Sequence, residues 1–159
     1  ELLDLLEYHR WATEKVLQAV AMLNTEKYTK DLGSSFPSIR DTLVHGYAAD
    51  RVWLGRIQGQ TPDWPNPQDY PTVASLREVW LEVLSNWPSV VQRLGKADLT
   101  ISYKAFDGSP YTNELGNIIR HVVNHGTYHR GQVTTMLRQL GEKAVTTDMI
   151  AYYRLKANK

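Results

Sequence analysis

The chain contains no cysteine. That removes disulfides, thiolate metal sites and cysteine nucleophiles together, so any metal must be held by nitrogen and oxygen donors. It has no excess of one charge either: 18 Lys and Arg stand against 17 Asp and Glu, a formal net charge of +1 with no basic block. A nucleic-acid-binding surface needs such a block, so no nucleic-acid partner is expected. No apolar run approaches the roughly 20 residues of a membrane span, and the N-terminus shows a helical pattern rather than a secretory leader. The expectation is a cytoplasmic protein with no membrane partner. What is present, 42% apolar and 22% charged residues over 159 positions, fits one domain spanning 1–159 with a sizeable core.

Helical periodicity dominates. Leu2, Leu5, Leu6, Ala12, Val16, Ala19, Val20 and Leu23 recur at three- and four-residue spacing, which predicts a first helix over about 2–23, ended by Asn24-Thr25 and a polar stretch to Gly33. Ser38, after Pro37 and three residues before Asp41, reads as the cap of a second helix reaching about Ile57. The stretch TPDWPNPQDYP, with four prolines, cannot continue a helix. Thr72 opens a third helix through Leu94, in which Pro88 predicts a kink near Ser85–Trp87. Around Asp107-Gly108, residues 99–111 read as a small hairpin or extended loop. Thr112-Asn113-Glu114 reads as the cap of a fourth helix to Leu140, stopped by Gly141, and a short terminal helix is expected near Asp148–Leu155. The fold class is therefore all-α: a four-helix bundle with a long Pro-rich connection between its second and third helices.

The segment HVVNHGTYHRGQV places His121, His125 and His129 four residues apart on the fourth helix. Projected at about 100° per residue with His125 as origin, the apolar stripe of that helix centres near +70°, His129 falls near +40° and His121 near −40°. His125 and His129 thus face inward, and His121 lies on the polar margin. Two imidazoles from one helix complete no useful metal site, so a third ligand must come from elsewhere. His45, in TLVHGYAADRVW, and His9 both lie on inward faces. A lone inward histidine is ordinarily a hydrogen-bonded core residue, whereas a buried pair needs a partner that a shared metal supplies. Asp41 fits the helix cap better than a role orienting a ligand. Arg130 and Gln132 read as groups at a site edge or on a solvated face, the solvated face being preferred for Gln132. Tyr47, Asp50 and Tyr128 lie near the motifs without a spacing that assigns them a role.

These residues resemble a known family. HVVNHGTYHRGQVTTMLRQLG is similar to the C-terminal signature of the DinB/YfiT-like metalloenzymes, TLVHGYAADRVWLGRIQG to their second-helix motif, LLEYHRWATEKVL to their first helix and TTDMIAYYR to their tail. The resemblance implies a four-helix bundle, a metal triad at His45, His125 and His129, nickel or zinc as the metal, and a homodimer. It leaves His9 a core or surface role. Among such relatives are transferases and isomerases that use low-molecular-weight thiols, alongside many proteins without a known activity. Three neutral imidazoles leave a divalent ion an open position for water or a thiol. Since the chain has no cysteine, a thiol would have to arrive with a small-molecule cosubstrate. The function expected is a metal-dependent thiol S-transferase or hydrolase; the alternative is a non-catalytic metal-binding or stress-response protein.

Overall fold

The computed structural model describes residues 1–158. In chain order these form helices α1 (Leu2–Val20), α2 (Thr25–Thr29), α3 (Ile39–Ile57) and α4 (Val73–Leu94), strands β1 (Thr100–Lys104) and β2 (Pro110–Glu114), and helices α5 (Leu115–Gln139) and α6 (Met149–Ala157). A 3₁₀ turn, Pro67–Asp69, lies between α3 and α4.

Side chains that satisfy the free amides of a first helical turn set several of the boundaries. Ser38 Oγ accepts from Asp41 N–H and starts α3, and Thr72 Oγ1 accepts from Ser75 N–H and starts α4. Asn24 behaves differently from expectation. Rather than only ending α1, its side chain accepts from Lys27 N–H and opens the short α2, which lets Tyr28 fold back into the core.

α4 runs from Val73 to Leu94 with Pro88 inside it. It closes at Gly95, whose φ of 77° admits the left-handed conformation that lets its N–H reach Val91 O at 3.0 Å.

Thr112, Asn113 and Glu114 do not form the side-chain cap predicted for the fourth helix. Thr112 and Asn113 pair with Ser102 and Ile101 in the antiparallel β1–β2 hairpin, and Glu114 makes no capping bond. Backbone does the work instead: Leu115 N–H donates to Leu99 O and Gly116 N–H to Ala97 O, both at 2.8 Å. The segment that leads into the hairpin, residues 97–99, is thus the cap of α5.

The four long helices pack so that α1 and α3 each contact both α4 and α5. Their apolar faces make two clusters. One gathers Val16, Leu17, Leu43, Val44, Trp80 and Met136; the other gathers Leu6, Leu54, Trp87, Leu115, Ile119 and Val122. Along α5 the residues between these clusters include His125, His129 and Arg130; on α3 Asp50 lies between them, and His45 follows Val44 of the first cluster. A polar layer therefore crosses the middle of the helices. Among the described residues no helix is long and apolar enough to cross a membrane.

Candidate metal centre

α3 and α5 face each other, and the polar layer brings three of their histidines together. His45 Nε2 lies 3.0 Å from His125 Nε2, and His129 Nε2 lies 3.1 Å from the same atom. One ligand atom from each of the three falls within 4.8 Å of the others, and no fourth His, Asp or Glu among the described residues joins the group. His121 stays outside it, exposed and edge-on to Trp53 at 5.4 Å. His9 is fully buried elsewhere in the layer, against Asp50.

The arrangement fits a small cation. Metal–nitrogen bonds of about 2.0–2.1 Å at tetrahedral angles set ligand nitrogens about 3.3 Å apart, near the spacings seen here. Hydrogen bonding among the imidazoles alone cannot satisfy the group. His129 Nδ1–H donates to Gln132 Oε1 at 2.7 Å, so its Nε2 is a bare lone pair. His125 Nε2 faces two ring nitrogens at once, and whether or not it carries a hydrogen, one contact is left without one. Burial, helped by neighbouring imidazoles, pushes His45 and His125 down to about 4. Burial also lowers His129, with the Gln132 bond opposing it. At neutral pH all three are neutral donors, the form a metal requires.

Two aromatic residues that the sequence reading passed over line the cluster. Phe36 stacks on the His45 ring at 4.2 Å, and Trp64 lies tilted against the same ring at 5.2 Å. Tyr128, 63% exposed, sets its edge against His129 at 5.0 Å. Phe36 and Trp64 each directly precede a proline, a pattern that holds a loop extended and was the available signal.

Other candidates take different places. Asp41 interacts with Ser38 and serves the helix cap. Tyr47 is a core residue against Trp80. Gln132 is not on a merely solvated face: it is half-buried and fixes the His129 tautomer. Arg130 is 3% exposed and bonds to His9, Thr13 and Thr127, so it belongs to the buried layer. A cavity of about 900 Å³ lies away from the triad, between α5 and residues 144–149, and none of the five histidines lines it.

Three comparisons with known proteins bear on the family and the fold. The sequence profile of the DinB family matches residues 1–159. Protein DinB of Bacillus subtilis (strain 168) is 27% identical over 156 residues, covering 93% of this chain and 91% of that protein. The crystal structure of a DinB-like protein from Bacillus cereus ATCC 10987 superposes with a TM-score of 0.69 at 22% identity, covering 91% of this chain and 94% of that one. At that identity the superposition speaks to the fold.

Proposed function

The chain belongs to the DinB family, and on that premise we propose that His45, His125 and His129 hold one divalent transition-metal ion, nickel or zinc, at the centre of a metal-dependent thiol S-transferase or hydrolase. The convergence of three neutral imidazole nitrogens, with no fourth protein ligand among the described residues, supports this most directly. When bound, such an ion supplies a 2+ charge and an open position that favours the deprotonated form of a water or thiol. The chain's own residues supply the rest. Gln132 holds His129 in the tautomer that turns Nε2 to the centre, and Phe36 and Trp64 cover the His45 side with apolar faces against which a substrate can be oriented. With no cysteine in the chain, a thiol nucleophile enters only as a small-molecule cosubstrate. The unit proposed is a single four-helix-bundle domain, working as a cytoplasmic homodimer.

One feature favours a non-catalytic metal-binding or stress-response protein: the triad bridges α3 and α5, so a bound ion would cross-link them and stabilise the fold by linkage. The two readings separate in one experiment. The metal-loaded protein is assayed with low-molecular-weight thiols and a generic electrophile, and with activated esters, beside His125→Ala. Turnover in the wild type that is lost in the variant supports the enzyme. Stoichiometric metal with no turnover in any assay supports the binding protein.

A further inference from the structure

On both helices that carry the triad, a ligand position is followed by glycine: His45-Gly46 on α3 and His125-Gly126 on α5. Both glycines are mid-helix, where alanine is the better helix former, so the missing Cβ needs a reason. A Cβ on Gly46 would meet Trp80 Cη2 at 3.0 Å, and one on Gly126 would overlap His9 Cε1 at 2.3 Å. Each glycine is a seat for a ring.

The two rings bind one carboxylate. His9 Nε2 lies 3.0 and 3.1 Å from the two oxygens of Asp50, and Trp80 Nε1–H donates to Asp50 Oδ2 at 2.6 Å. Behind His9, Arg130 Nη1 lies 3.0 Å from His9 Nδ1. A guanidinium can only donate, so His9 Nδ1 accepts and His9 Nε2–H donates to Asp50. The four side chains come one from each long helix, His9 from α1, Asp50 from α3, Trp80 from α4 and Arg130 from α5, and none is more than 3% exposed. Arg130 directly follows His129.

We infer that Asp50 is a positioning residue for the metal centre: by drawing His9 and Trp80 into the seats at Gly126 and Gly46, it sets how closely α3 and α5 approach, and so the separation of His45 from His125 and His129. The inference rests on reading the triad as a metal site. Asp50 and Arg130 are buried opposite charges joined through one imidazole, and neither can move towards water without stranding the other, so the clamp has one stable arrangement. A ligand set tolerates displacements of only about half an ångström, so the spacing matters to binding as well as to folding.

The test compares wild type, Gly126→Ala, His9→Ala, the double variant and Asp50→Asn. Far-UV circular dichroism reports the fold, chelator competition gives zinc affinity, and the visible spectrum of the cobalt(II)-loaded protein reports ligand geometry. Gly126→Ala and His9→Ala are each expected to bind zinc at least ~10-fold more weakly, with a changed cobalt spectrum. The double variant should lose less than the two single changes combined, because the added methyl then meets no ring and only the end of the Arg130 side chain, Nη1 at 2.8 Å. Asp50→Asn, which keeps the shape, carries the same readouts if the glycine variant does not fold. Zinc affinity and a cobalt spectrum unchanged from wild type in Gly126→Ala, or in Asp50→Asn should that variant be needed, would overturn the inference. A wild type that binds neither metal would instead overturn the metal reading beneath it. ¹⁵N NMR of metal-free protein adds a check that needs no metal: hydrogen on His9 Nε2 is expected, and hydrogen on Nδ1 contradicts the clamp.

Discussion

Two histidine-bearing groups share the polar layer between the apolar clusters, and they are completed in opposite ways. His9 has a carboxylate on one ring nitrogen and a guanidinium on the other, so the group closes on itself with its charges balanced. His45, His125 and His129 turn three Nε2 atoms towards one point with no carboxylate among them, and the hydrogen fixed on His129 Nδ1 by Gln132 leaves its Nε2 a bare lone pair. The same side chain is structural where its partners finish the hydrogen bonding, and ligating where they leave it unfinished. Burial alone does not separate them, since His129 is nearly as enclosed as His9; the partners do.

That contrast can be broken at either group. The largest expected effect on stability is at Asp50. Replacement by Ala leaves the Arg130 guanidinium buried without its counter-charge, at a loss of about 3–5 kcal/mol, measured by urea unfolding of metal-free protein. His45→Ala, which removes no counter-charge, should change metal-free stability by less than about 1 kcal/mol. Equal losses in the two variants would contradict the division.

Gln132→Leu tests whether the triad depends on its orienting partner. It should weaken metal binding by roughly 10- to 100-fold while leaving the metal-free fold in place. Unchanged affinity would mean that the His129 bond is incidental.

A smaller effect is expected from pH. His45 and His125, near 4 in the folded chain against an ordinary 6.5, bind fewer protons folded than unfolded. Their contribution to stability is therefore complete above 6.5 and is lost as pH falls from 6.5 through about 4. Metal-free His125→Ala should lose less stability across that window than wild type. Parallel curves would contradict the assignment of those shifts.

The long helices were legible because each carries an apolar face at helical spacing, and α3 and α4 announce themselves with Ser38 and Thr72. The inward pair His125 and His129 was legible for the same reason: five residues of one helix fix their relative angles. His45 is eighty residues from His125 in the chain, and periodicity placed both it and His9 on inward faces; the likeness of motifs was part of what preferred His45. What stayed hidden depends on packing between elements. The start of α5 is capped by carbonyls of Ala97 and Leu99, so its three polar residues were misread as a cap of their own. Gln132 lies three residues from His129, a spacing equally common on a solvated face, and its role appears only when the two side chains meet. Arg130 was unreadable because its partners, His9 and Thr13, lie on α1. Gly46 and Gly126 look like weak points of a helix until the rings they seat are seen.

Three imidazoles that converge in this way should make one metal site. Elemental analysis after saturation with nickel or zinc and removal of loosely bound ion tests this directly, on wild type beside His45→Ala and His125→Ala. One equivalent per chain in wild type, lost in both variants, is the result the geometry requires. No retained metal in wild type, or a full equivalent still held by either variant, would contradict it.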